Sequence, residues 1–224
     1  MSIEFIDKGV CAPRGFQASG VHCGIRKNKT KKDLSLIVSD VVCNAAALCT
    51  QNKVKAAPVT VTQEHLKDGK ARAIICNSGN ANTCAPNGKE VARKTCELVA
   101  EELSASPDDL IVCSTGVIGM PLSIEPFERG IPKLVKKLSY DGSINAAAGI
   151  MTTDTIKKEF AVALNIGGKE CSIGAIAKGS GMIHPNMATM LCFITTDIAI
   201  TSEMLKKALS NDNLDTFNQL KALS

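Results

Sequence analysis

The sequence predicts an α/β (α+β) protein of layered sheets. Short apolar runs recur along the chain, and two of them stop at glycine-bearing loops: Ala73 to Cys76 before "NSGNANTCAPNG", and Leu110 to Cys113 before "STGVIGMPL". From Lys89 to Leu103, apolar residues at Ala92, Cys96, Val99 and Leu103 keep the stripe of a helix lying on a core. Phe160 to Ile166 and Cys171 to Ala177 flank "GGKE", the signature of an antiparallel hairpin. Strands and helices mixed in this way, with at least one hairpin, suit sheets covered by helices.

The elements follow in chain order. Leu34 to Val38 reads as a strand. "PVTVT", Pro58 to Thr62, alternates as a half-buried strand would. The Asn- and Gly-dense stretch from Asn77 to Gly88 reads as a loop. A second helix is expected over Ile131 to Leu138, with Pro132 in its first turn, where the missing N–H costs nothing. Met190 to Thr195 reads as a strand and Ser202 to Leu209 as a capped helix.

With 224 residues and 45% hydrophobic content, the chain can bury a sizeable core. It has no Trp and one Tyr, which argues against base-stacking platforms. The net charge is +4, and the only basic cluster is Lys27, Lys29, Lys31 and Lys32, a solvated turn or a nucleic-acid surface. Of the ten cysteines, Cys76, Cys113 and Cys192 sit in apolar runs, where a free thiol acts as a small hydrophobe. No C-x-x-C pair exists and the histidines are far apart, so no zinc site is expected. No signal peptide or membrane-length apolar run is visible. Reduced thiols and a cytoplasmic location are the expectation.

Three glycine-bearing loops invite chemistry: "CNSGNAN", "CSTGVIG" and "KGSGM". None has the form of a phosphate loop or a dinucleotide fingerprint, and none carries clustered carboxylates. In "STG", the Thr115 hydroxyl and the Gly116 amide could meet at one oxygen as an oxyanion hole, or form an ordinary turn. Thr189, between a His-Pro-Asn turn and an apolar run, is either strand filler or a nucleophile. Its activator would be its own α-amine, freed by cleavage of the Ala188–Thr189 bond. With a pKa of roughly 8, that amine is partly neutral near neutral pH.

"KGSGMIHPNMATMLCFITTD" resembles the self-cleavage segment of the ArgJ family, the ornithine acetyltransferases or glutamate N-acetyltransferases of arginine biosynthesis. "NSGNAN", "STGVIG" and "GIMTTDT" resemble family signatures in the family's order, and the resemblance runs from about Ile3 to Asn218. It implies a layered N-terminal-nucleophile-type sheet architecture of the ArgJ/DmpA kind. It also implies autocatalytic cleavage between Ala188 and Thr189, which divides the chain into an α part, 1–188, and a β part beginning at 189. Thr189 would be the nucleophile, Thr115 and Gly116 the oxyanion hole, and Thr152 and Lys178 would bind substrate alongside Thr189. The implied reaction moves an acetyl group from N2-acetyl-L-ornithine to L-glutamate through an acetyl-threonine ester. No metal or organic cofactor is implied; acetyl-CoA is a further acetyl donor in bifunctional members. The family's α and β chains assemble as a heterotetramer, and no nucleic acid or membrane partner is implied.

The resemblance also leads one to expect a longer chain. After "NDNLDTFNQ" a segment like "VDGDTSTND" is expected, whereas this sequence reads "LKALS". With the C-terminal half and its substrate residues missing, little acetyl transfer is expected from the chain alone. The competing readings are a shortened, non-catalytic remnant and a related N-terminal-nucleophile amidohydrolase or aminopeptidase.

Overall fold

The structure is a computed structural model that describes residues 3–179 and 190–215, with side chains to residue 211. The strands are β1 (Ile3–Ile6), β2 (Phe16–Val21), β3 (Leu34–Asn44), β4 (Lys70–Asn80), β5 (Leu110–Val117), β6 (Lys158–Ile166), β7 (Lys169–Lys178) and β8 (Leu191–Thr196). The helices are α1 (Ala57–His65), α2 (Gly88–Leu103), α3 (Glu125–Lys136), α4 (Ser143–Ile150) and α5 (Ser202–Asp215).

Two four-stranded sheets form, in the orders β2-β3-β4-β5 and β1-β6-β7-β8. The first is buried on both faces. Leu34, Leu36, Ala73, Ile75, Leu110 and Val112 point to a core shared with α1, α2 and α3. The alternate residues Ile37 and Cys76 point instead to Ala146, Ala147 and Ile150 of α4, and on to Ile176 and Phe193 of the second sheet. The layers are therefore helices, sheet, α4, sheet. Side chains that alternate along a strand between two buried faces give near-continuous apolar runs, which is why these strands are legible in the sequence. The outer face of the second sheet leaves Ile3, Phe5, Phe160 and Ile194 exposed.

α4 approaches the first sheet very closely. A Cβ on Gly149 would lie 2.1 Å from Ser35 Oγ and 2.9 Å from the Leu34 carbonyl oxygen, so only glycine allows this helix to sit on β3. All ladders are antiparallel except β4–β5, which is parallel with α2 as its crossover.

Three expectations are corrected. Pro58 to Thr62 lies in α1, not in a strand. Pro58, Val61 and Thr62 are the buried residues of that helix; their i, i+3, i+4 spacing is helical, and the proline occupies the first turn. The helix also seals the sheet: Thr62 Oγ1 donates to the Val112 carbonyl at 2.8 Å and accepts from Val112 N at 3.0 Å. Those bonds satisfy the edge strand β5, which would otherwise present open backbone groups. Second, α3 begins at Glu125 with Pro126 in its first turn, and Pro132 lies inside the helix. Third, β4 continues through Asn77 to Asn80, so the loop is shorter than its composition suggested. The expected strand at 190–195 and the helix from Ser202 are present as β8 and α5, with Thr201 Oγ1 capping Met204 N at 3.3 Å.

Candidate active site

The parallel pair β4–β5 brings the first two glycine-bearing loops side by side at the carboxyl ends of neighbouring strands, a common place for ligand sites in open sheets. The register pairs Asn77 with Ser114, Ser78 with Thr115 and Gly79 with Gly116. Gly116 has φ +135, and a Cβ there would fall 2.4 Å from the Gly79 carbonyl carbon and 2.6 Å from Asn80 N. Backbone cannot give way as a side chain can, so this position is closed to every residue but glycine.

Most polar side chains of "NSGNAN" hold structure. Asn77 Nδ2 donates to the Asn80 carbonyl at 2.9 Å, and Ser114 Oγ donates to Asn77 Oδ1 at 2.6 Å. Ser78 Oγ donates to the Gly149 carbonyl at 2.6 Å, tying this motif to "GIMTTDT". Asn80 Nδ2 reaches the carbonyls of Met120 and Pro121, and Asn82 Nδ2 reaches that of Gly88 at the start of α2.

The second sheet supplies the charge. Lys178, the last residue of β7, is buried with 3% exposure. Its Nζ donates to Thr115 Oγ1 at 3.2 Å. Burial lowers its pKa from the usual lysine value, while Asp154 and Cys76 act in the opposite direction. Because Thr115 Oγ1 accepts from an ammonium, its own proton is left to donate elsewhere.

Thr152 joins through a residue that the sequence did not single out. Asp154 Oδ2 accepts from Thr152 N at 3.3 Å, and its Oδ1 accepts from Gly179 N at 2.8 Å and from Lys158 Nζ at 2.7 Å. One carboxylate thus pins the Thr152 loop to the residue after Lys178. Burial alone would raise the Asp154 pKa, but those three donors outweigh it and hold the group below the usual carboxylate range.

A second missed residue is Arg26. Its side chain lies against Gly79, and its Nη2 donates to the Met151 carbonyl, next to Thr152. The Arg26 loop is shaped by buried Asp33, which accepts from the backbone N–H groups of Cys23 (2.6 Å), Gly24 (3.2 Å) and Arg26 (2.9 Å). The only sequence signal for this arrangement is an Asp closing a Gly- and Lys-rich segment, which is also what an ordinary turn looks like.

The structure therefore gathers Thr115, Gly116 and Lys178 directly, and Thr152 through Asp154. Ala188 and Thr189 lie outside the described residues. The strand that follows them is described: Leu191, two residues beyond Thr189 in the sequence, pairs with Lys178. Among the described residues no cluster of His, Cys, Asp and Glu could hold a metal ion, and no helix is long and apolar enough to cross a membrane.

A buried cation bonded to a hydroxyl, beside a glycine at the ends of parallel strands, thus sits on an N-terminal-nucleophile type of sheet architecture. The model of the ArgJ family matches residues 17–222, and the chain belongs to that family. It is 47% identical over 219 residues to the arginine biosynthesis bifunctional protein ArgJ of Caldanaerobacter subterraneus subsp. tengcongensis, covering 97% of this chain and 54% of that protein. It is 46% identical to the Bacillus subtilis protein of the same name, covering 94% and 52%. The chain thus spans about half the length of the curated relatives it matches. Among solved structures, ArgJ of Bacillus halodurans aligns with TM-score 0.77 at 37% identity, covering 85% of this chain and 98% of that one. The ornithine acetyltransferase of Mycobacterium tuberculosis, complexed with ornithine, aligns with TM-score 0.76 at 37% identity, covering 85% and 100%. An aminopeptidase of Ochrobactrum anthropi with a variant of the Ntn hydrolase fold shares the fold alone, at TM-score 0.55 and 10% identity.

Proposed function

We propose that this chain carries the acyl-transfer site of an ornithine acetyltransferase, moving the acetyl group of N2-acetyl-L-ornithine to L-glutamate. The observation that carries the reading is the β7–β8 ladder. Lys178 is paired with Leu191 and bonded to Thr115, so the strand entered just after Thr189 begins beside the Thr115–Gly116 corner.

In the proposed chemistry, cleavage after Ala188 gives Thr189 a free α-amine. That amine accepts the Oγ proton as Oγ attacks the acetyl carbonyl. The Thr115 hydroxyl and the Gly116 N–H hold the oxyanion; one such donor is worth about 10²–10³ in rate. Collapse expels the ornithine amine, which takes the proton, and leaves an acetyl ester on Thr189. The amine of L-glutamate attacks the ester, and N-acetylglutamate departs as the Thr189 hydroxyl re-forms. Lys178 would face the α-carboxylate common to both substrates, with Arg26 as a second cation nearby. No cofactor enters this scheme. Acetyl-CoA as an alternative donor would load the same ester, and an assembly of α and β chains would follow from the cleavage.

The extent of the solved relatives supports the cleavage. The Mycobacterium tuberculosis chain is matched in full by 85% of these 224 residues, about 190, which is close to the length that precedes Thr189.

Acyl-enzyme trapping tests the proposal. After incubation with N2-acetyl-L-ornithine, mass spectrometry should find an acetyl ester on the fragment that begins at Thr189. L-Glutamate should discharge it, slowly for a chain that spans about half the length of its relatives, and the Thr189→Ala variant should never form it. A cleaved protein that takes no acetyl group, or takes it on another residue, would overturn the assignment.

A further inference from the structure

The basic cluster of the sequence lies on a largely exposed turn, and three of its four lysines line a cleft. Lys29, Lys31 and Lys32, on the loop between β2 and β3, face Lys133, Lys136 and Lys137 at the C-terminal end of α3. Between them is a cleft of about 830 Å³, floored by the end of β2 and by Asn145 of α4. That volume lies within the roughly 300–1,000 Å³ of small-molecule sites. We propose that this cleft binds a small ligand carrying two or more linked phosphates.

The charge balance carries the argument. No carboxylate lines the cleft, and among the described residues none of the six ammonium groups forms an ion pair. The whole chain has a net charge of only +4, so charge is balanced elsewhere and concentrated here. Lysines at the end of a helix complement its dipole, which accounts for Lys133 and Lys136 but not for the three lysines opposite. Lys32 shows the strain of the arrangement. Its pKa is lowered, first by burial and then by Lys137 and Lys157. An anion in the cleft relieves both the repulsion and the lost solvation.

The backbone of the loop and the Lys32 side chain are also held in place before any ligand arrives. His22 Nδ1 bonds the Lys31 carbonyl at 3.0 Å, the Lys31 N–H bonds the Asn28 carbonyl at 3.3 Å, and Asp33 clasps the start of the same loop. Lys32 Nζ donates to Asn145 Oδ1. A loop shaped in advance spends little ordering entropy on binding. The ligand class follows from shape and composition. The concentration of lysines suits a compact polyanion, and the open cleft lacks the aromatic platforms on which single-stranded nucleic acids stack their bases. Lysine recognises phosphate as a point charge. The assignment does not depend on the acyl-transfer reading.

The test is calorimetric titration of the full chain with tripolyphosphate, ATP, AMP and a single-stranded oligonucleotide. Tripolyphosphate and ATP should bind, AMP should bind less tightly, and added salt should weaken binding, since exposed charges are screened. The triple variant Lys32→Gln, Lys136→Gln, Lys137→Gln should keep the native circular dichroism and bind tripolyphosphate at least about tenfold more weakly. Equal affinity for tripolyphosphate and ATP assigns recognition to the phosphates alone; a preference for ATP adds contacts to the nucleoside. The proposal is overturned by no binding at millimolar ligand, by unchanged affinity in the triple variant, or by an oligonucleotide that binds more tightly than tripolyphosphate.

Discussion

Lys178 Nζ and Thr115 Oγ1 lie 3.2 Å apart, and both residues are buried. The contact joins the end of β7 in one sheet to β5 in the other, so the two sheets meet at a charge-assisted hydrogen bond. Such bonds are stronger than neutral ones. Thr115→Val keeps the shape and removes only the hydroxyl. It should destabilise the protein by about 1–3 kcal/mol in urea unfolding. Acetylation of the Thr189 fragment should slow by about 10²-fold or more, since an oxyanion donor is lost. Unchanged acetylation in a folded Thr115→Val protein would remove this hydroxyl from the mechanism.

Lys178 also makes stability depend on pH. Its folded-state pKa is lowered by burial, so the unfolded chain holds this proton more tightly. The cost of burying the charge is fully present below the folded pKa. It fades as pH rises from there to the unfolded value of about 10.4. Lys178→Met has no such charge. Relative to that variant, the parent protein should gain stability as pH rises through this window, with denaturant midpoints compared at several alkaline values. Parallel curves for the two proteins would contradict the direction of the shift.

Asp154 carries the opposite sign. Its folded-state pKa is held down by the donors from Lys158, Gly179 and Thr152. The stability it supplies is present above the unfolded value of about 3.9 and is lost as pH falls through the folded pKa. Asp154→Asn should therefore be less stable than the parent at neutral pH, with the gap closing in acid. If Asp154 positions the Thr152 loop, this variant should also weaken discharge of the acyl-enzyme by glutamate. A merely structural role would leave that step untouched in the folded fraction.

How much of this was legible in the sequence depends on the range of the forces involved. β3, β6, β7, β8 and α2 were readable because their apolar periodicity is local. β1, β2 and α4 were not assigned: β1 exposes most of its side chains, and β2 and α4 owe their packing to small residues. α1 was misread because Val59, Thr60, Val61 and Thr62 have strand propensity, which outweighed the helical spacing of Pro58, Val61 and Thr62; the bonds of Thr62 to Val112 dock the helix on the sheet. At the site, Thr115, Gly116, Thr152 and Lys178 were named from motifs. Asp154 and Arg26 were missed because their importance lies in partners distant in sequence: Asp154 reaches Gly179, and Arg26 reaches Met151.

The thiols of Cys23, Cys76, Cys84, Cys96 and Cys113 are free, and they divide by environment. Burial raises the Cys23, Cys96 and Cys113 thiols to about 12, and raises the buried Cys76 thiol well above the usual thiol value. Thiolate is the reactive form, so these groups should resist a thiol reagent in the native protein. Cys84 is exposed and should react first. Denaturation without reductant should release all ten; several missing thiols would reveal disulfides.

The last prediction concerns the bond before Thr189. If the chain cuts itself at Ala188–Thr189, the released segment is still woven into the second sheet. β8 pairs with β7 from Ile173↔Thr196 to Lys178↔Leu191. Thr195 Oγ1 donates to the Val10 carbonyl at 2.8 Å, and Asp197 clasps Arg14 and the Ser172 N–H. A six-residue strand held by its ladder, a buried Phe193 and these side-chain bonds has no reason to leave when one peptide bond on its flank is broken. Cleaved protein should therefore elute as a single species under native conditions and separate into two fragments only in denaturant. Intact mass should place the junction between Ala188 and Thr189 and nowhere else. Thr189→Ala should remain uncut, because the hydroxyl that attacks its own preceding carbonyl is gone. Cleavage at the same bond in that variant would exclude Thr189 as the agent of its own release.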